Sequence, residues 1–123
     1  MSVTDILKKH AADYGIEISD SLSSKLEIYA RELREWNDKI NLTAILDDEG
    51  IALKHFLDCL LVSKYAEFKA GDKIIDVGTG AGFPGMPLAI ANPALQVTLL
   101  DAQEKRCNFL RAVKEELHLD NVV

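Results

Sequence analysis

The sequence is poor in the features that mark several protein classes. It has two cysteines and three prolines among 123 residues, which excludes disulfide-rich scaffolds and collagen-like chains. Its uninterrupted apolar runs are short, whereas a membrane-spanning helix needs roughly 20 apolar residues, so we expect no membrane association. The opening segment MSVTDILKKH carries charge where a signal peptide is apolar. We therefore expect a cytoplasmic protein.

Basic side chains are in the minority. There are 14 Lys and Arg against 20 Asp and Glu, which gives a net charge of -6. This balance excludes a surface that binds nucleic acid everywhere, although it leaves room for a local basic patch. Cys59 and Cys107 lie in amphipathic helical patterns without metal-ligand spacing. We interpret them as buried thiols and expect no metal site.

The composition that remains, 48% hydrophobic and 28% charged, is typical of about one small globular domain. Up to residue 70 the apolar residues recur at helical spacing. Thr4 or Asp5 is predicted to cap a first helix that stops at Gly15, and Ser19 opens a second one. A third helix is predicted after the acidic residues 47–49, with an apolar stripe formed by Leu53, Phe56, Leu57, Leu60 and Leu61.

The second predicted helix has the most regular apolar stripe. Steps of three and four residues place one set of side chains on a single face. This set is Leu22, Leu26, Tyr29, Leu33, Trp36 and Ile40. The charged side chains between them, Glu32 included, are predicted to face water.

After residue 71 the pattern changes to short apolar runs typical of buried parallel strands. Strands are predicted at 73–77 and 95–100, with the beginning of a third at Val122, and helices near Pro84 and over 104–117. The order strand, glycine loop, helix, strand, helix is the opening of a doubly wound α/β sheet. We therefore predict a Rossmann-like α/β fold preceded by a helical region.

The predicted sheet is incomplete. We expect residues 1–70 to form an N-terminal helical region packed on the sheet, and residues 71–123 to form the first part of the Rossmann-like domain. Two strands and two crossover helices cannot cover both faces of a parallel sheet. The chain is therefore expected to be the front part of a larger protein and to be inactive alone.

A glycine-rich loop follows the first predicted strand in the segment IIDVGTGAGFPG, residues 74–85. Glycines let the backbone turn sharply and approach a ligand, because a Cβ atom there would clash. The exposed N–H groups and the next helix N-terminus favour a phosphate or carboxylate. The loop therefore predicts a nucleotide-like ligand.

Two motif frames fit this loop. The series Asp76-x-Gly78-x-Gly80-x-Gly82 is typical of S-adenosylmethionine methyltransferases, whereas Gly80-x-Gly82-x-x-Gly85 matches the dinucleotide fingerprint of NAD(P)-binding oxidoreductases. The first frame begins at the strand end. The second starts two residues late and contains a proline, so the first is favoured.

Two acids accompany the loop. Burying the charged carboxylate of Asp76 in a strand costs free energy unless the carboxylate has a partner. The ammonium and sulfonium of S-adenosylmethionine would be such partners. Alternatively, Asp76 only caps N–H groups of the loop. Asp101 ends the second strand, where the ribose-binding acid of such folds lies. Its alternative role is the N-cap of the helix that begins near Glu104, and the two roles can coexist.

Four sequence blocks together resemble the RsmG/GidB family, also called glucose-inhibited division protein B. They are WNDKINLTAI (36–45), HFLDCL (55–60), GFPGMPLAI (82–90) and LLDAQEKRCNFL (99–110). The resemblance implies an incomplete class I methyltransferase fold that uses S-adenosyl-L-methionine. It further implies methyl transfer to N7 of a guanine in 16S ribosomal RNA of the small ribosomal subunit. A non-enzymatic binding domain and an NAD(P)-dependent oxidoreductase remain the alternatives.

The resemblance also implies site residues. Gly78 and Phe83 are cofactor-contacting positions, supported by Gly80, Gly82 and Asp101. Phe83 can wall the methionine or adenosine moiety, and its alternative role is core packing beneath the loop. Because guanine N7 carries a lone pair and no proton, the reaction needs no general base, and no catalytic residue is predicted.

Three further features have structural alternatives. Lys105 and Arg106 lie at a helix start, where positive charge opposes the helix dipole. This unfavourable placement favours a role in binding RNA phosphates. The alternative is that both side chains simply lie on a solvent-exposed helix face. His55 and Asp58 are spaced to form a hydrogen-bonded pair that links the helical region to the glycine loop. The helix exit around Asn37 is expected to form turns through side-chain bonds to the backbone.

Overall fold

The computed structural model describes residues 2–123, in which helices precede a small parallel sheet. The elements in chain order are α1 (Val3–Ala12), α2 (Asp20–Asn37), α3 (Asp48–Gly50), a π-helical segment (Ile51–Leu57), α4 (Asp58–Ala66), β1 (Lys73–Val77), α5 (Gly85–Ala91), β2 (Gln96–Leu100) and α6 (Glu104–Glu116). This order confirms the predicted α/β organisation and the change of pattern near residue 70.

Helix α1 begins earlier than predicted. Its N-cap is Ser2, whose hydroxyl accepts from the Asp5 N–H while the Asp5 carboxylate accepts from the Ser2 N–H. This capping box satisfies two N–H groups at once, so the prediction of Thr4 or Asp5 as the cap was wrong. Thr4 is instead buried against α2, where its N–H and hydroxyl both donate to Glu27.

Helix α2 begins after Ser19, as predicted, and the Ser19 hydroxyl accepts from the Leu22 N–H at 3.1 Å. The middle of its stripe, Leu26, Tyr29 and Leu33, is fully buried, and its two ends are partly buried. Glu32 was wrongly assigned to the water-facing side, since only 8% of it is exposed. Its carboxylate accepts from the Trp36 indole N–H at 3.1 Å, and this hydrogen bond offsets part of the free-energy cost of burying the carboxylate.

The third predicted helix forms with a π-helical middle. Residues 51–57 are wound more widely than an α-helix, so the inward face shifts along the segment. Ile51, Ala52 and Phe56 are fully buried, whereas Leu53 of the predicted stripe is only partly buried. The helix exit before it forms the predicted turn, because the Asn37 side chain accepts from the N–H groups of residues 42 and 43.

Strands β1 and β2 pair in parallel, from Lys73 beside Gln96 to Val77 beside Leu100. A parallel bridge between Val97 and Val122 marks the predicted beginning of a third strand. Among the described residues one face of this sheet is uncovered, as two strands with two crossover helices predict. Side chains alternate along the strands, and one face remains open, with Val77 76% exposed, because the chain's helices lie on the other face.

The helical region reaches the sheet through α5. Helices α2 and α4 contact α5, α2 also contacts α6, and α5 packs on both strands. One continuous hydrophobic cluster therefore includes buried residues from both sides of residue 70.

Within residues 2–123, no helix combines the length and apolar character needed to cross a membrane.

Candidate functional site

The glycine loop lies at the carboxyl end of β1 and presents an open side. Gly78 and Gly80 have positive φ angles of +71° and +60°, and a Cβ atom at either position would meet nothing within 4 Å. The N–H groups of Gly78 and Thr79 donate to the Leu100 carbonyl at 2.8 and 3.0 Å, which ties the loop to the end of β2. A ligand can therefore approach the backbone at Gly78 and Gly80 without meeting a side chain.

The other two glycines face the protein interior. A Cβ atom at Gly82, where φ is +100°, would lie 2.5 Å from the Tyr29 hydroxyl oxygen. A Cβ atom at Gly85 would collide with Leu99 of β2 and crowd Asp76. Packing, and not ligand access, explains why these two positions lack a side chain.

Asp76 points to the inner side of the loop. Its Oδ2 accepts from the Thr79 hydroxyl at 2.6 Å and from the Gly85 N–H at 3.0 Å. The carboxylate therefore holds together the two ends of the glycine loop, which is the capping role considered as its alternative. A role toward the cofactor ammonium stays a prediction.

Asp101 holds the loop from the other side. Its Oδ2 accepts from the Gly80 N–H, and its Oδ1 accepts from the Gln103 N–H, both at 2.9 Å. The hydrogen bond from Gln103 lowers the pKa of the Asp101 carboxyl, with further lowering by Gly80 and Arg106 against the opposing effect of burial. The N-cap of α6 is Gln103, so the alternative assignment of Asp101 as that cap was wrong.

Phe83 lies between two other rings. Its ring stacks on the His55 imidazole, with centroids 4.2 Å apart and planes 8° apart, and on Tyr29, with centroids 5.5 Å apart. Phe83 is half-buried, so it packs beneath the loop as its alternative role requires. A contact between Phe83 and the cofactor stays a prediction.

Tyr29 is a site residue that sequence reasoning assigned only to the core. From α2 its hydroxyl donates to the Ala81 carbonyl at 2.5 Å, so the helical region anchors the loop. Complete burial raises the pKa of Tyr29 well above its usual value, with smaller contributions from Cys59 and Asp76, which keeps the hydroxyl protonated as a donor. The only sequence signal was a tyrosine in an otherwise aliphatic part of the stripe.

The predicted pair of His55 and Asp58 is wrong. No hydrogen bond joins these two side chains, because the wide π-helical turns separate residues that lie three apart. The His55 Nε2 instead lies 3.0 Å from the Thr43 hydroxyl oxygen, within hydrogen-bonding distance. The predicted link to the glycine loop exists, but His55 makes it by stacking on Phe83.

Protonation of His55 is expected to destabilise the fold. Burial lowers the pKa of His55 below its usual value, although the charge of Asp58 opposes this shift. Since the unfolded chain binds the proton more tightly, His55 favours folding above its unfolded pKa of about 6.5, and this stability is lost as the pH falls through the folded pKa. We expect the free energy of unfolding, measured with urea between about pH 7 and 5, to fall more steeply with decreasing pH for the wild type than for His55→Phe. Equal slopes would contradict this.

The two predicted RNA-contacting cations lie next to the site. The Arg106 guanidinium is 3.7 Å from Asp101 Oδ2, and Lys105 is exposed on the first turn of α6. Arg106 therefore joins the loop to α6 through Asp101. Contact with RNA stays a prediction for both side chains.

The cysteines do not contribute to this site. Cys59 is buried and Cys107 half-buried, and both are free thiols. Burial raises the pKa of the Cys59 thiol to about 12, with smaller contributions from Asp58 and Asp76, so the thiol stays protonated. Across the part of the chain that the structure describes, no group of three or more His, Cys, Asp or Glu is arranged to hold a metal ion.

Parallel strands, a glycine loop at their carboxyl end and an acid at the end of β2 define a Rossmann-like α/β protein, and the loop lies where such folds bind their ligands. The family model described as rRNA small subunit methyltransferase G (GidB) matches residues 22–123. The chain therefore belongs to this family, which confirms the resemblance drawn from the four sequence blocks. Family membership favours the methyltransferase frame of the loop over the dinucleotide frame.

Curated relatives agree with this assignment. Ribosomal RNA small subunit methyltransferase G of Clostridium botulinum (strain Alaska E43 / Type E3) is 53% identical over 123 residues, which cover 100% of this chain and 52% of the relative. The proteins of that name from Clostridium perfringens (strain SM101 / Type A) and Clostridium beijerinckii are 49% and 48% identical, and each alignment covers 99% of this chain and 51% of the relative. The chain spans about half the length of the curated relatives that it matches.

Proposed function

We propose that the protein is an S-adenosyl-L-methionine-dependent methyltransferase that acts in the cytoplasm on N7 of a guanine in 16S ribosomal RNA of the small ribosomal subunit. The observation that carries this proposal is the open side of the loop at Gly78 and Gly80, with the Asp101 carboxylate directly beside it. The names of the relatives support the RNA substrate.

The residues present fit this cofactor. The open space at Gly78 and Gly80 admits the cofactor to the loop backbone, although the Gly78, Thr79 and Gly80 N–H groups already donate to Leu100 and Asp101. Asp101 Oδ1 accepts the Gln103 N–H and has a further lone-pair direction for a ribose hydroxyl, whereas Oδ2 accepts the Gly80 N–H and lies 3.7 Å from the Arg106 guanidinium. Its side chain is only 4% exposed, so ribose binding requires a local rearrangement of the residues that cover it. We assign Asp76, Gly82 and Phe83 to the support of this site.

Methyl transfer to guanine N7 requires neither a nucleophilic side chain nor a general base, and the site residues include no such combination. S-adenosylmethionine supplies a methyl group on a sulfonium, and guanine N7 accepts it with a lone pair and no proton to remove. The chain therefore has to hold donor and acceptor in line and exclude other geometries. Loop residues whose backbone is fixed by Tyr29, Asp76 and Asp101 are suited to such positioning.

Calorimetric titration of the full-length protein with S-adenosylhomocysteine and, separately, with NADH tests the proposed cofactor. Binding of S-adenosylhomocysteine alone is expected. Binding of NADH alone would support the oxidoreductase alternative, and binding of neither would support a non-enzymatic domain. Transfer of a labelled methyl group by the full-length protein to isolated small ribosomal subunits, lost when the target guanine is changed, tests the substrate.

Replacing Asp101 with alanine is expected to weaken S-adenosylhomocysteine binding by about 1–3 kcal/mol, because a charged hydrogen-bond acceptor is lost. Asp13→Ala, which removes an exposed carboxylate at the end of α1, is the matched control. Both variants are compared by calorimetry, after thermal unfolding has verified that they are folded. Unchanged affinity in a folded Asp101→Ala protein would contradict the ribose assignment.

We further propose that residues 1–70 and 71–123 work as one folded unit. Support comes from the shared hydrophobic cluster and from the Tyr29 hydroxyl, which crosses this division to reach Ala81. In this arrangement the helical region sets the shape of the loop.

A further inference from the structure

A basic groove lies between the turn after α2 and the start of α6. It has a volume of about 330 Å³ and is lined by Lys39, Ile40, Asn41, Gln103, Lys105 and Arg106. The two segments are more than 60 residues apart in sequence, so no local motif indicates the groove. Because Arg106 contacts Asp101, which in turn bonds to Gly80, the groove adjoins the glycine loop.

The groove concentrates positive charge on an acidic protein. Lys39, Lys105 and Arg106 contribute three cations, and among the described residues no carboxylate lines it. Asp101, the acid that contacts Arg106, is 4% exposed and already accepts two backbone N–H groups, so it neutralises the groove only in part. Since the whole chain has a net charge of -6, a polyanion is attracted to such a local patch and repelled elsewhere.

The groove also offers unused hydrogen-bond donors. The Arg106 side chain is 32% exposed, although its Nε is shielded from solvent. A guanidinium can bond two oxygens of one phosphate side by side, and the amides of Asn41 and Gln103 supply neutral donors in the same lining. Charged and amide donors together are suited to phosphate oxygens.

We propose that this groove binds the phosphate backbone of the substrate RNA on the side of the loop held by Asp101. The inference rests on the proposed function, because it takes RNA to be the substrate, and it adds Lys39, Asn41 and Gln103 to the two cations predicted from sequence. Phosphates held there anchor the strand next to the cofactor loop. Contacts of this kind position the strand without reading its sequence.

The test measures anisotropy of a fluorescein-labelled single-stranded RNA of about 12 nucleotides over about 50–200 mM KCl. Three phosphate contacts predict a slope of about -2 for log affinity against log salt, at about 0.7 per contact. The double variant Lys39→Gln/Lys105→Gln is expected to bind roughly tenfold more weakly, with the slope reduced to about -0.7. Arg106 stays unchanged because it contacts Asp101.

The matched control is Lys9→Gln/Lys69→Gln, which removes two exposed lysines outside the groove and is expected to retain the wild-type slope. An unchanged slope in the groove variant, no RNA binding by the wild type, or equal displacement of the RNA by polyglutamate would each overturn the proposal. S-adenosylhomocysteine affinity is measured on the same proteins. If S-adenosylhomocysteine affinity is retained but the RNA-binding results contradict the groove, the proposed function stands and only the groove assignment is wrong.

Discussion

Gly82→Ala is expected to lower the free energy of unfolding by about 2–5 kcal/mol. A left-handed conformation costs an L residue about 1–2 kcal/mol, and the φ of +100° at Gly82 lies outside the regions that L residues favour. The added methyl group must also displace the Tyr29 hydroxyl, Leu110 or Met86, which lie 2.5, 3.0 and 3.0 Å from it. Overpacking of this kind costs about 1–3 kcal/mol. Urea unfolding gives the measurement.

Gly71→Ala is the matched control. Gly71 also has a positive φ, +86°, but a Cβ atom there would meet nothing within 4 Å. Alanine at this position is therefore expected to cost only the backbone contribution of about 1–2 kcal/mol. If both variants lost the same stability, packing against Tyr29 would not be the reason for a glycine at position 82.

Tyr29→Ala is expected to cost about 3–5 kcal/mol, because it removes a fully buried aromatic ring. The same ring stacks on Phe83 and contacts Phe56 and Phe109. We expect the glycine loop to lose order together with the core, and therefore cofactor affinity to fall as well. Urea unfolding and calorimetry with S-adenosylhomocysteine measure the two effects.

Tyr29→Phe separates the hydroxyl from the ring. It keeps the packing but leaves the Ala81 carbonyl without its donor, at an expected cost of about 1–3 kcal/mol. Wild-type stability in this variant would show that the hydrogen bond does not hold the loop. Combined with Gly82→Ala it also makes room for the new methyl group, so the two losses are expected to be less than additive.

Family membership and the position of the binding loop follow from sequence because they depend on local patterns. The first strand was predicted with its observed bounds, and Ser19 was predicted as the start of α2, from apolar period and cap chemistry alone. The glycines at 78, 80 and 82 have the positive φ angles that a sharp turn after a strand requires. Such features are decided within a few neighbouring residues.

Helix starts and helix type were less predictable. Ser2, and not Thr4, caps α1, because the N–H and hydroxyl of Thr4 donate to the carboxylate of Glu27, 23 residues away. The π-helical turns of residues 51–57 break the pairing of His55 with Asp58 that α-helical spacing implied. In both cases a tertiary contact or an altered helical period overrode a rule that assumes a regular isolated helix.

Local patterns of residues were enough to predict the fold class, the glycine loop, the acids beside it and the family. The contacts that those residues make could be read only from the folded chain. Tyr29 reaches Ala81 across 52 residues, His55 stacks on Phe83, and Lys39 shares a groove with Lys105. A periodic pattern specifies which face of a segment is buried, but not which distant segment meets it. That choice depends on how the helices pack together, and it shapes the candidate site.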